Sequence, residues 1–302
     1  VPDSASAPLA LTPFNQLGVI GCGLMGGSFA LALKRAGLVK RVVGFSKSPS
    51  TTELARQLGV IDVAAESALL AVSGSDLVLI AVPVSATEAT FKNIRHLMAP
   101  GVLFMDVGST KRDVVDTARR VLKDHGRLAS FVPAHPITGK ETAGVQHADA
   151  ALYAGRQVIL TPMAQTDPEL LAKARAVWTA IGAQVSSMSP ETHDATFAAV
   201  SHLPHLLAFA YLASIANHPA GGDYLAHGGP GFRDFTRIAA SDPTVWRDIL
   251  LANREEVLRQ LHRFNHAIQG LELAMTTNNA QALEDMIRLA SDARIGWQMG
   301  GS

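Results

Sequence analysis

His135 is the residue of this chain best suited to move a proton. It sits in the run Ser130-Phe-Val-Pro-Ala-His-Pro-Ile-Thr-Gly-Lys-Glu141, where β-forming residues deliver a histidine directly into a proline. Pro136 restricts His135 to an extended conformation, so the imidazole is aimed from a stiff backbone. An unperturbed pKa of about 6.5 lets such a ring take and return a proton near neutrality. Alone, a His-Pro pair also fits an ordinary turn. Arg233 and Arg237 follow the glycine-rich approach Gly228-Gly-Pro-Gly. At i and i+4 they share a helical face, and two guanidinium groups suit a dianionic ligand. The competing reading is a surface ion-pair network with Asp234 and Asp242. His202 and His205 form an H-x-x-H pair, yet no carboxylate or third ligand is spaced to complete a metal site, so no metal is expected. They read as substrate-facing histidines, with core histidines as the alternative. Ser109, in Gly108-Ser-Thr-Lys111 after an apolar strand, is placed to meet a ligand, to cap the helix starting near Arg112, or both.

A second set of residues could cradle a phosphate. Leu17-Gly-Val-Ile runs into Gly21, Gly23 and Gly26, with Leu24 and Met25 between them. A helical run from Phe29 to Ala36 follows, then the strand Arg41–Phe45. Strand, glycine turn, helix and strand within about thirty residues make a dinucleotide-binding βαβ unit. Gly21 makes the tight turn, Gly23 admits the pyrophosphate, and Gly26 lets helix and strand close up. The helix N-terminus offers its N–H groups to the phosphates. About 20 residues past the loop an NAD enzyme usually carries Asp or Glu for the ribose 2′-hydroxyl. This chain has Ser46-Lys47-Ser48 instead, which predicts NADP as cofactor, with NAD as the alternative.

The elements that must position these groups can be followed along the chain. Val1–Pro13 reads as a flexible N-terminal tail without the pattern of a signal peptide. Short helices are expected at Thr51–Leu58 and around Ser67–Val72. Asp76–Pro83 is a buried parallel strand whose end places Val82 and Pro83 at the ligand crevice. A helix over Val84–Met98, the strand Val102–Val107, a strand in Ser130–Ala134, the strand Arg156–Thr161, a helix opened by Asp167-Pro168 and a last strand at Ala183–Met188 complete the α/β part. From Ser189 the β signal ends. A helix buried nearly all round and kinked at Pro204 is expected first, then helices at Val245–Ala267 and Ala280–Trp297. The fold class is therefore an α/β Rossmann-type doubly wound sheet followed by an all-α C-terminal dimerisation domain. The division is tail 1–13, dinucleotide-binding domain 14–188 and helical substrate and dimerisation domain 189–302.

Composition limits the alternatives. The chain has 302 residues, 48% hydrophobic, with Lys+Arg and Asp+Glu balanced at 26 each. A neutral chain without a basic run leaves no electrostatic footprint for nucleic acid. The one cysteine, Cys22, excludes an intrachain disulfide and points to a reducing, cytoplasmic compartment; inside the glycine loop it reads as packing. Ala195–Ala216 is the longest apolar stretch, but His202, Pro204 and His205 interrupt it, so no membrane span is expected.

Taken in order, Gly21-x-Gly23-x-x-Gly26, Gly108-Ser109-Thr-Lys111, His135-Pro-Ile-Thr-Gly-Lys-Glu141, Ser201-His-Leu-Pro-His205 and Phe232-Arg-Asp-Phe-Thr-Arg-Ile-Ala-x-Ser-Asp-Pro243 resemble the prephenate/arogenate (cyclohexadienyl) dehydrogenase family. The likeness runs from about Gln16 to Met299. It implies oxidative decarboxylation of prephenate to 4-hydroxyphenylpyruvate, or of arogenate to tyrosine, with hydride passing to NAD(P). By the same likeness His135 bonds the ring hydroxyl and Ser109 positions it near the nicotinamide. His205, Arg233 and Arg237 hold substrate carboxylates, His202 and Glu141 join the substrate site, and Trp246 reaches the site of a neighbouring subunit in a homodimer. Family members often carry lysine where Arg233 stands. Two other readings are a β-hydroxyacid dehydrogenase and a non-catalytic NADP sensor. The first expects a lysine in Thr192–Asn217, which has none; the second leaves His135, His205 and Arg237 without a role.

Overall fold

A computed structural model describes residues 11–97, 101–123, 127–139 and 142–298. Its contacts divide the chain into two units, one holding residues up to Asp194 together with Asp242–Ala252, the other Ala195–Ser241 and Asn253 onward.

The first unit is built on a six-stranded parallel sheet in the order β3-β2-β1-β4-β5-β6. The strands are β1 (Leu17–Ile20), β2 (Val42–Phe45), β3 (Val63–Ala64), β4 (Leu77–Ile80), β5 (Leu103–Asp106) and β6 (Phe131–Val132). Every side chain of β1, β4 and β5 is buried, as expected of strands covered on both faces. The crossovers are α1 (Leu24–Arg35), α2 (Pro49–Gln57), α3 (Ala68–Val72), α4 (Thr87–Ile94, after a 3-10 turn at Val84–Ala86) and α5 (Arg112–Leu122). β1 lies between β2 and β4, so strand order reverses there and a crevice opens at their carboxyl ends.

The expected strand in Ser130–Ala134 is two strands in two sheets. β6 ends at Val132, and β7 (Ala134–Pro136) belongs to a separate three-stranded sheet with β8 (Gln157–Leu160) and β9 (Gln184–Ser187). Pro133 stands between them and has no N–H for a ladder, which lets the chain change sheets there. β7 pairs antiparallel with β8, and β8 runs parallel to β9. Asp167 caps α6 (Pro168–Ala180) by accepting from the N–H groups of Glu169 and Leu170. Trp178 of α6 packs on Phe29 of α1 (centroids 4.8 Å apart) and on Tyr153 (5.1 Å). The Tyr153 hydroxyl donates to the Met25 carbonyl at 2.7 Å, so this aromatic core also pins the start of α1.

From Pro190 onward the described elements are helical, with the helix Pro243–Ala252 counted in the first unit and the rest, from Ala195, in the second. α7 (Pro190–Phe197) leads through a π turn at Ala198–His202 into α8 (Leu203–Ala216). Pro204 has no N–H for the preceding turn. The widened turn accommodates this, with the Leu203 N–H donating to the Ala198 carbonyl. The expectation that this helix is buried nearly all round does not hold within one chain. Val200 and Tyr211 are exposed, and Pro190–Ala216 is long and apolar enough to cross a membrane by length and composition while only 17% of its most apolar window is buried. α9 (Gly221–Ala226) and α10 (Pro230–Thr236) follow. The expected helix Val245–Ala267 is two helices, α11 (Pro243–Ala252) and α12 (Arg254–Thr276), broken at Asn253. α13 (Ala280–Gly296) comes last.

Candidate active site

The glycine loop takes the shape its spacing predicts. Gly21 has φ +97°, and a Cβ there would lie 2.2 Å from the Ala81 carbonyl oxygen. A Cβ on Gly26 would lie 2.1 Å from the Gly21 carbonyl oxygen, so helix and strand touch only because it is glycine. A Cβ on Gly23 would meet nothing within 4 Å. That open side adjoins the N-terminus of α1, which has no side-chain cap and no acidic residue in its first turn. These features fit a dinucleotide pyrophosphate. Leu24 and Met25 form the first turn, and Val82 and Pro83 follow β4 on the same sheet edge.

Ser46 holds the loop from the end of β2. Its Oγ accepts from the Cys22 N–H at 2.8 Å, and its own N–H donates to Thr52 Oγ1 at 2.9 Å. Lys47 is exposed, and the Ser48 and Ser50 hydroxyls are 2.8 Å apart at the head of α2. Cys22 is buried, and burial pushes its thiol up to about 11 against the hydrogen bonds around it, so it packs as a small apolar side chain.

His135 is half-buried on β7, opposite Ile159 of β8. The residue before it is fastened to the carboxyl end of β5. Asp106 accepts from the Ala134 N–H at 3.0 Å and from the Gly108 N–H at 2.8 Å. Lys111, fully buried, pairs with Asp106 and donates to the Ala134 carbonyl at 2.8 Å. Buried charges of opposite sign are strongly coupled, and removing one partner of such a pair costs about 3–5 kcal/mol. The Gly108–Lys111 segment is thus a brace between β5 and β7. Ser109 lies half-buried on it.

Two residues in this neighbourhood carry no sequence motif. His193 Nε2 is 2.8 Å from His135 Nδ1, and His193 Nδ1 is 2.7 Å from Asp194 Oδ1. Asp194 also accepts from the backbone N–H groups of Lys111 (2.8 Å) and Arg112 (3.0 Å), which caps α5 from a distant part of the chain. Burial opposes its charge, but the hydrogen bonds from His193 and the backbone prevail and hold its pKa below the usual carboxylate range. Burial pushes the pKa of His193 down in spite of Asp194. The His193-Asp194 pair was visible in the sequence, but nothing in its spacing linked it to His135, 58 residues away.

In the second unit His205 and Arg237 are electrostatic neighbours. Burial and then the Arg237 charge lower the His205 pKa, against the Ser201 carbonyl that accepts from its Nδ1 at 2.9 Å. Arg233 is exposed and pairs with Asp234 at 3.1 Å. Arg233 lies within α10, while Arg237 follows its end and opens a 3-10 turn, so the expected shared face of one α-helix is interrupted. His202 is buried, with its Nδ1 3.1 Å from the Asn253 amide nitrogen, the arrangement of a packed core histidine. Trp246 lies half-buried on α11, within the first unit, where Asp248 accepts from the Ser85 hydroxyl at 2.5 Å. Glu141 falls outside the described residues.

Known proteins agree with this architecture. Residues 29–187 match the family model of the prephenate dehydrogenase nucleotide-binding domain, and residues 189–292 match that of its dimerization domain. A prephenate dehydrogenase of Bacillus subtilis (strain 168) is 36% identical over 279 residues, covering 91% of this chain and 74% of the relative. A cyclohexadienyl dehydrogenase of Zymomonas mobilis is 32% identical over 287 residues, covering 94% and 97%. The crystal structure of prephenate dehydrogenase from Aquifex aeolicus, in complex with hydroxyphenyl propionate and NAD+, superposes with a TM-score of 0.87 at 34% identity, covering 95% of this chain and 99% of that one. With a Rossmann-type sheet, a nucleotide cradle and both family domains in order, the chain belongs to the prephenate dehydrogenase family and is an NAD(P)-dependent dehydrogenase.

Proposed function

We propose that this protein oxidatively decarboxylates prephenate, arogenate or both in tyrosine biosynthesis, with His135 accepting the proton of the ring hydroxyl. The observation that carries this reading is the position of His135. It stands on a short strand tied through Asp106 and Lys111 to the carboxyl end of β5, the sheet edge at which a dinucleotide lies. When bound, NAD(P) supplies the hydride acceptor. His135 receives the hydroxyl proton at a ring nitrogen, and loss of carbon dioxide makes the ring aromatic. Ser109 orients the hydroxyl. Arg237 meets a carboxylate with a permanent charge, whereas His205, held neutral by burial, binds one as a charged donor only after protonation. Arg233, Glu141 and Trp246 complete the proposed substrate set, and His202 packs as a core histidine. Gly21, Gly23, Leu24, Met25, Gly26, Val82 and Pro83 hold the dinucleotide. Ser46, Lys47 and Ser48 favour a 2′-phosphate and hence NADP, because no carboxylate at the end of β2 repels it.

The same reading takes 14–188 as the cofactor domain and 189–302 as the substrate and dimerisation domain of a cytoplasmic homodimer, without a metal, nucleic acid or a membrane. The match of residues 189–292 to a dimerization domain supports the homodimer. Prephenate and arogenate differ in a keto or amino group remote from the reacting carbon, so an assay must choose between them.

That assay follows nicotinamide reduction with each substrate and with NAD and NADP. Turnover in at least one combination is expected, with the larger kcat/KM for NADP. His135→Asn should lower kcat about 10²- to 10⁴-fold, the range of general-base catalysis, with cofactor affinity unchanged. Silence from folded, cofactor-binding protein, or a normal kcat in His135→Asn, would overturn the reading.

A further inference from the structure

The His135–His193–Asp194 chain of hydrogen bonds has a direction, and the direction decides which nitrogen of His135 can act as a base. Asp194 is fixed as a carboxylate by the two backbone N–H groups at the head of α5, and a carboxylate only accepts. The hydrogen on the 2.7 Å contact therefore sits on His193 Nδ1. His193 and Asp194 are both fully buried, at 0% and 1% side-chain exposure. The groups that face His193 are Asp194 from its own helix, Asp106 from β5, Lys111 at the head of α5, and His135 from β7. Burial and the Lys111 ammonium work against a second proton on the ring, and burial prevails over the two carboxylates. A neutral His193 with its hydrogen on Nδ1 presents a lone pair at Nε2. Across the 2.8 Å contact that lone pair must meet a hydrogen carried by His135 Nδ1. The neutral His135 ring then has its lone pair at Nε2.

We propose that His193, oriented by Asp194, is a positioning residue that fixes His135 as the Nδ1–H tautomer and so makes Nε2 the proton acceptor. The proposal rests on His135 being the base. In the step itself the hydroxyl O–H bond breaks and an Nε2–H bond forms. His135 becomes an imidazolium whose Nδ1–H still donates to neutral His193, and the Asp194 carboxylate stabilises the new charge through the second ring. No proton needs to leave the chain for the geometry to persist. The logic matches that of an acid-oriented catalytic histidine, in which the partner sets tautomer and ring orientation and itself stays unprotonated.

The test has two independent arms. In the first, ¹⁵N NMR of histidine-labelled wild-type enzyme, with His135→Asn used to assign the signals, reads the tautomer without any turnover. His135 should show a protonated Nδ1 and an unprotonated Nε2 above its pKa; the opposite tautomer, or an even mixture, overturns the proposal. In the second arm, His193→Leu removes the acceptor and His193→Gln restores one. His193→Leu should lose kcat by about 10- to 100-fold, the range for removing an orienting partner, with KM and cofactor affinity held. The acid limb of its kcat/KM profile should also move, because the lone pair on His135 is no longer assigned to one nitrogen. His193→Gln should recover most of the rate. Wild-type kcat and pH profile in His193→Leu would overturn the relay while leaving His135 as base. A normal rate in His135→Asn would instead overturn the base, and the NMR result would still stand or fall by itself. If His193→Leu does not fold, the first arm decides.

Discussion

The chemistry of single residues here is governed by what burial does to two histidines. His193 is lowered by burial against its bond to Asp194, and His205 by burial and the nearby Arg237. A histidine whose pKa falls on folding binds protons more readily in the unfolded chain, so acid favours unfolding. Stability should therefore be intact above about pH 6.5, the unfolded value, and decline as pH falls from there toward the lower folded values. Asp194 acts in a separate window, below about pH 4, because its folded pKa lies beneath the ordinary carboxylate value. Urea midpoints measured from pH 7.5 to 5 should fall in wild type and fall less steeply in His193→Gln; parallel slopes would show that His193 carries none of the effect. At this scale the sequence was readable where a motif names its own partner. The glycines were singled out by their spacing, and His135 by its place at a strand end ahead of a proline. His193 and Asp194 were not, because a contact across 58 residues leaves no local trace. His202 shows the converse: its H-x-x-H spacing looked functional, while its ring belongs to the packing around Asn253.

Among elements, the glycine turn separates two jobs that its motif runs together. Gly26 is needed by the fold, since a Cβ there would collide with the Gly21 carbonyl oxygen and lie 2.9 Å from Val19 Cγ1. Gly26→Ala should cost roughly 1–3 kcal/mol, the usual penalty for overpacking, and lower both Tm and cofactor affinity. Gly23 adjoins open space, with φ −76°. Gly23→Ala should keep the wild-type Tm and weaken cofactor binding alone. Calorimetry with cofactor titration would separate the two, and equal Tm losses would refute the distinction. Strands and helices with a clear period were legible to within a few residues. The change of sheet at Pro133 was harder to see, because an unbroken β-forming run gives no sign of which neighbour it will pair with. The break at Asn253 was hidden for a similar reason: one amphipathic pattern spans both α11 and α12.

At the scale of the molecule, the helical unit leaves much apolar surface uncovered in a single chain. α13 buries none of its side chains, while Ile287, Leu289 and Ile295 are 57%, 75% and 79% exposed. A helix left this uncovered gains little from its own chain and gains more when a second copy packs on it. The chain should sediment as a dimer at micromolar concentration, and Leu289→Asp with Ile295→Asp should shift it toward monomer. A dimer unchanged by both substitutions would place the interface elsewhere. This exposure also explains why the apolar run after Ser189 looked buried from sequence: hydrophobicity reports that a face will be covered, not by which copy. One feature of the division into units matters for synthesis. Because α11 is counted with the first unit, the chain leaves that unit at Asp194, returns at Asp242 and leaves again after Ala252. On a ribosome, the nucleotide-binding unit cannot acquire Ile249 or the Ser85–Asp248 bond until Ala252 has emerged. The first unit is therefore not completed in one stretch of translation: its sheet waits, one helix short, while residues 195–241 of the helical unit are being made.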